Sequence, residues 1–87
     1  MRIRTSKLFG KKVILDVGIV IGRLEDFEFN KKTGEIYALI IQPEELDPQH
    51  RELFRWRGDK IIVPITTLKS IGDFIVLDKN KLQMYKI

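Results

Sequence analysis

The chain has 87 residues, of which 44% are hydrophobic and 32% charged, and a formal net charge of +4. At this length one small core buries about 64% of the extended chain's surface, which leaves no room for a second domain. The composition excludes a disordered or fibrous chain, and the absence of cysteine excludes disulfide scaffolds, thiolate metal sites and cysteine nucleophiles.

No apolar run approaches the ~20 residues of a membrane-spanning helix. The basic opening residues lack the apolar stretch of a signal peptide, so the expected location is cytoplasmic. Cations fall in small groups: Arg2/Arg4/Lys7, Lys11/Lys12, Lys31/Lys32, Arg51/Arg55/Arg57/Lys60 and Lys79/Lys81/Lys86. Acids are threaded among them. That pattern reads as a solvated surface more than as the continuous stripe of a nucleic-acid binder.

Short apolar runs alternate with glycine-containing turns, which predicts an all-β sandwich or barrel. Lys12 to Asp16 reads as a first strand and Asp16-Val-Gly18 as a turn. Ile19 to Asn30 reads as a long second strand whose pattern changes phase. Val20 and Leu24 share one parity, Phe27 and Phe29 the other. Placing all four on one face requires an extra residue near Glu25-Asp26, a β-bulge. Gly22 inside this strand marks a bend or a close backbone approach. A bulged, glycine-bent long strand is what a small, curved barrel needs.

Asn30 to Gly34 is a hairpin connection. Glu35 to Gln42 is a third strand, apolar on both faces: Tyr37, Leu39 and Ile41 on one, Ile36, Ala38 and Ile40 on the other. One face fills the barrel; the second calls for a cover, a local helix or a second subunit.

Residues 43–60 interrupt the β texture. Asp47-Pro48 is a helix start, predicting one short helix near 47–54 and an extended approach to Gly58. In a competing reading, Phe54 and Trp56 alternate with Arg55 and Arg57, and Gly58-Asp59 turns a hairpin. Lys60 to Ile65 is a strand, with Pro64 at an edge or a strand end. A helical turn follows near 66–70, then a reversal at Ile71-Gly-Asp73 and a core strand from Phe74 to Asp78. The tail, 79–87, docks as a short extra strand or stays loose.

The catalytic inventory is thin. His50 is the single histidine, and neither Ser6 nor Ser70 has a nucleophile context. Asp47 and His50, with Glu44 and Glu45 nearby, are too few donors on too irregular a segment for a metal site. Glu25-Asp26 fits bulge acids that satisfy backbone N–H groups. Gly18 to Gly22 is no phosphate loop, and Arg57-Gly-Asp59 reads as a plain turn. Leu53-Phe-Arg-Trp-Arg57 has the composition of a protein–protein anchor; equally, Phe54 and Trp56 could close the barrel end.

Leu8-Phe-Gly-Lys-Lys-Val-Ile-Leu-Asp-Val-Gly-Ile-Val-Ile-Gly-Arg-Leu-Glu-Asp-Phe-Glu-Phe-Asn30 resembles the opening of PRC-barrel domains. Thr33-Gly-Glu-Ile-Tyr-Ala-Leu-Ile-Ile41 is similar to their third strand, and Val63-Pro-Ile-Thr-Thr-Leu-Lys-Ser-Ile-Gly-Asp-Phe-Ile-Val-Leu77 to their closing element. The resemblance covers residues 8–78, and small stand-alone archaeal members look closest. It implies one domain, a six-stranded antiparallel, partly open barrel with a tail at 79–87. It also implies protein docking rather than catalysis, in settings that include archaeal cell division and assembly of larger complexes, and it carries over no catalytic residue.

The expected function is a non-enzymatic adaptor that pairs first with a copy of itself, as a homodimer. Tyr37, Phe54 and Trp56 would lie at its surface, with Arg55 and Arg57 at the rim. No cofactor, metal or small-molecule substrate is expected. The alternative is an RNA-binding or ribosome-maturation factor using Arg51/Arg55/Arg57/Lys60. An enzyme built from His50 and the acids of 43–59 is the third reading.

Overall fold

A computed structural model describes residues 7–85; Arg2, Arg4 and Lys86 of the cation groups, and the Tyr85 side chain, lie outside what it describes. Seven strands form one sheet: β1 (Lys12–Leu15), β2 (Val20–Phe29), β3 (Ile36–Pro43), β4 (Arg55–Arg57), β5 (Lys60–Pro64), β6 (Leu68–Ile71) and β7 (Ile75–Leu77). Their order is β4-β5-β3-β2-β1-β7-β6, so β4 and β6 are its edges and the barrel is not closed by strand pairing. Neighbours are antiparallel except β1 and β7, which run parallel with Val13 opposite Ile75.

The all-β fold is as the sequence implies, with two differences. There are seven strands rather than six, and the sheet is mixed rather than wholly antiparallel. The parallel pair joins segments some sixty residues apart, a contact that no local pattern encodes.

The long strand β2 behaves as its phase change requires. Leu24 pairs with Ile41 and Asp26 with Ile40, so Glu25 is the extra, bulged residue. The bulge puts Leu24 and Phe27 in the core together. Val20 and Phe29, expected on the same face, are instead 41% and 49% exposed at the strand ends. The Asp26 carboxylate accepts the Phe27 N–H at 2.8 Å, as a bulge acid should. Gly22 lies opposite Pro43. A Cβ there would overlap the Gln42 carbonyl, so this position requires glycine.

The core is a single apolar cluster. Val13, Leu15, Ile21, Ile41, Ile61 and Leu77 have no exposed surface, each worth about 1.5–3 kcal/mol of transfer free energy. Thr67, the one fully buried polar residue among those described, donates its hydroxyl to the Pro64 carbonyl at 2.6 Å. Pro64 ends β5, where its missing N–H leaves no gap in the ladder. The helical turn expected near 66–70 is a 3-10 turn at Ile65–Thr67, and Leu68 already belongs to β6.

Both readings of residues 43–60 are partly realised. Asp47-Pro48 starts a single-turn helix, α1 (Pro48–Arg51), and Arg55–Arg57 then turns through Gly58-Asp59 into β5 as a hairpin. Gly58 has φ +61°, the left-handed conformation a two-residue hairpin turn demands of its first central residue.

The described part of the tail, 79–85, is neither a strand nor loose. It forms a helix, α2 (Lys79–Tyr85). Asp78 caps it, its carboxylate accepting the Lys81 N–H at 3.2 Å, and Lys-Asn-Lys-Leu-Gln-Met contains no residue that breaks a helix. Leu82 is 4% exposed and faces Leu53, Phe54 and Val63. α2 also packs on the 3-10 turn, which places it over the side of the barrel that the strands leave open. Asp16, in the β1–β2 turn, fastens this helix: its carboxylate accepts the Lys79 N–H at 3.3 Å and lies 3.2 Å from Lys69 Nζ. The Lys79 N–H, and then the Lys69 ammonium, hold the Asp16 carboxyl below its ordinary value against partial desolvation.

Candidate protein-docking face

The outward face of β2–β3–β5–β4 is built from the residues that alternate with the core. Ala38 stands opposite Pro64, and Ile40 opposite Ile62. Arg55 stands opposite Ile62 and Arg57 opposite Lys60. Asp26 and Glu28 flank Ile40 and Ala38 from β2. The result is an apolar strip with charged margins. Its second-face cover, expected as a helix or a subunit, is supplied in part by long polar side chains. Arg57 on β4 pairs with Glu28 on β2, and β5 and β3 lie between those strands. Lys60 reaches across β3 to Glu25 at 3.0 Å and also bonds the Gln42 side chain.

Tyr37 stands where β3 carries one residue too many. Glu28 pairs with Ala38 and Phe29 with Ile36, so Tyr37 is bulged. That breaks the alternation that would have placed Tyr37 with Leu39 and Ile41, and leaves it 49% exposed. Its hydroxyl donates to Glu28 Oε2 at 2.6 Å. Tyr37, Ala38, Ile62 and Pro64 line an open depression of about 410 Å³, with Arg55, Trp56 and Arg57 on its β4 side.

Four of the five expected surface residues therefore meet at one place. The fifth does not: Phe54 is 5% exposed and belongs to the core, because the chain turns inward there before β4 begins. Trp56 is half-buried. It lies opposite core residue Ile61, its indole N–H donates to the Arg51 carbonyl at 2.9 Å, and the Arg51 guanidinium sits 4.3 Å above its ring. Trp56 thus serves partly as core wall and partly as lining of the depression. Glu28, which organises the face, was missed. The signal was its place between Phe27 and Phe29, opposite in parity to a core residue.

Asp47 and His50 come together at 3.8 Å on α1. Among the described residues no third histidine, cysteine or carboxylate joins them in a metal-binding group. No helix among the described residues is long and apolar enough to cross a membrane.

A curved, open β-barrel with a half-covered apolar strip defines a barrel module whose recognisable features are structural. The chain belongs to the PRC-barrel domain family, whose profile matches residues 1–84. It is also similar to an uncharacterized protein of Methanocaldococcus jannaschii, MJ1118, with 30% identity over 80 residues, covering 92% of this chain and 85% of that protein.

Proposed function

We propose that this protein is a non-enzymatic docking module that binds protein through the outward face of β3–β5–β4, pairing first with a second copy of itself. The observation that carries the reading is the half-buried strip Ile40, Ile62 and Pro64 beside the buried Ala38, bordered by Tyr37, Trp56, Arg55 and Arg57. An apolar centre with aromatic and arginine margins is the composition of an interface, and a domain this small gains stability by burying such a strip against a symmetric mate. Membership of the PRC-barrel family supports the same reading, including a place in a larger assembly such as the archaeal division apparatus.

The RNA reading has less support. The cations it relies on are engaged within the chain, among them Arg51 on Trp56, Arg57 on Glu28 and Lys60 on Glu25.

Sedimentation velocity at micromolar concentration tests the proposal. The wild type is expected to sediment as a dimer, and Ile62→Lys, which charges the strip, as a monomer; because Ile62 also lines the recess that Leu82 fills, circular dichroism checks that the variant is folded. A strictly monomeric wild type removes self-association. Affinity capture of partners that are indifferent to both Ile62→Lys and Tyr37→Ala removes the docking face altogether. Retardation of a mixed RNA pool that fades steeply with salt supports the alternative.

A further inference from the structure

A second exposed apolar site lies apart from that strip, where the turn before β1 and the end of β2, just ahead of the 30–34 turn, meet Phe27. The Phe9 ring is 5.6 Å from the Phe27 ring and tilted 45° to it; the Phe29 ring is 6.4 Å from it on an interplanar angle of 60°. Phe27 is buried, but Phe9 and Phe29 are 47% and 49% exposed. Two aromatic side chains thus project from one buried ring. The expectation that Phe29 joins the core misses this, and Phe9 carried no sequence signal.

Both turns are fixed. In the first, Lys11 N–H donates to the Leu8 carbonyl and Gly10 N–H to the Leu24 carbonyl, at 3.1 and 2.8 Å. In the second, the Asn30 side-chain oxygen accepts the Lys32 and Thr33 N–H groups at 2.9 and 3.3 Å, and Gly34 N–H donates to the Asn30 carbonyl at 2.7 Å. The phenylalanines therefore stand on rigid supports.

Lys7 shares the turn of Phe9, and Lys31 and Lys32 follow Phe29; all three are exposed. Among the described residues none of the three forms an ion pair, whereas Arg23, Arg57, Lys60 and Lys69 each do. Of the nearby acids, Asp26 is bonded to the Phe27 N–H and Glu28 is engaged by Tyr37 and Arg57, while Glu35 stands at the base of the second turn.

We infer that this end of the barrel, Phe9 and Phe29 with Lys7, Lys31 and Lys32, is a peripheral contact site for an anionic lipid bilayer surface. The charge is complementary to such a surface. It is carried by lysines, mobile point charges suited to a diffuse layer of headgroups rather than to the bidentate capture of one carboxylate or phosphate that arginine favours. The rings project from a turn and a strand end instead of lining a groove, so they fit a deformable surface into which apolar side chains sink. Both rings are splayed from Phe27, a geometry for immersion more than for a stack of successive bases, which calls for flat, open faces.

Flotation with vesicles tests this on the full chain. The wild type is expected to float with vesicles containing phosphatidylglycerol and to stay behind with phosphatidylcholine alone. Lys31→Gln/Lys32→Gln is expected to lower the partition coefficient about thirtyfold, in line with the worth of two cations near an anionic leaflet. Phe9→Ser/Phe29→Ser should abolish the binding that survives raised salt. Ile62→Lys should float like the wild type, which separates this site from the docking face. If the phenylalanine variant fails to fold by circular dichroism, the lysine variant, confined to solvent-exposed side chains, still decides.

Absence of flotation with the anionic vesicles overturns the inference. So does flotation indifferent to both double variants, or equal flotation with the neutral vesicles. Lysine-dependent retention of RNA or of an acidic protein, without flotation, assigns the site to that partner instead and overturns it as well.

Discussion

Arg57 and Glu28 form an ion pair across two intervening strands. Glu28 also accepts the Tyr37 hydroxyl, so one carboxylate holds two side chains that border the apolar strip. The pair orders the docking face more than it stabilises the barrel, because the Arg57 side chain is 62% exposed and water screens the attraction.

A double-mutant cycle on Glu28→Gln and Arg57→Gln should therefore return a coupling of about 0.5 kcal/mol and no more than about 1 kcal/mol in urea denaturation, shrinking as salt is added. A coupling well above that range would mean that the pair is a structural tie of the barrel.

Gly22→Ala should be among the most damaging small substitutions in the chain. The added methyl would lie against the Gln42 carbonyl, with the Gln42 carbonyl carbon and the Pro43 Cα each at 2.9 Å. These are backbone atoms of the paired strand and cannot swing aside. The strands must separate, at a cost of about 3 kcal/mol or more. The midpoint of chemical denaturation measures it, and a loss below about 1 kcal/mol would show that β2 and β3 can part freely at this point.

These two cases mark what the sequence makes legible. Gly22 and the Glu25 bulge follow from patterns inside one strand: a glycine among β-branched residues and a parity that reverses between Leu24 and Phe27. Pro64 at a strand end and Asp47-Pro48 at a helix start are equally local. Alternation fails where the cause sits on another strand. Tyr37 leaves the core parity because β3 has a residue more than β2 requires there. The β1–β7 pair depends on the closure of the whole sheet, and α2 depends on an apolar recess that only the assembled barrel provides. Of the site, the aromatic and arginine composition near 53–57 was legible. Phe54 was misplaced because composition cannot say which of two neighbouring rings turns inward.

Stability should decline in acid through Asp16. Its folded carboxyl titrates below the ordinary value of 3.8, mainly because the ionised form accepts the Lys79 N–H. A depressed folded value means the contribution is complete above the unfolded value and is lost as pH falls through the folded one. The urea midpoint of the wild type should thus drop as pH is lowered from about 4 toward 2, and Asp16→Asn should flatten that part of the profile. Parallel acid limbs for the two proteins would remove Asp16 from the account.

Leu82 offers the sharpest test of the role given to α2. The helix is a short one, Lys79–Tyr85, too short to persist alone in water, so its order rests on what it buries. Leu82 is 4% exposed while Met84, two residues on, is 72% exposed. Leu82→Ala removes the side chain that fills the recess beside Phe54 and Val63, and should cost about 2–4 kcal/mol in urea denaturation. Met84→Ala, on the solvent side, should change it by less than about 0.5 kcal/mol. Amide exchange separates two ways of losing that energy. If α2 only undocks, its own amides lose protection while those of β3 and β5 keep theirs. If it seals the barrel, Leu82→Ala should also speed exchange at β5, since Ile62 and Val63 line the same recess. Equal small effects from both substitutions would show that the helix lies on the barrel without closing it.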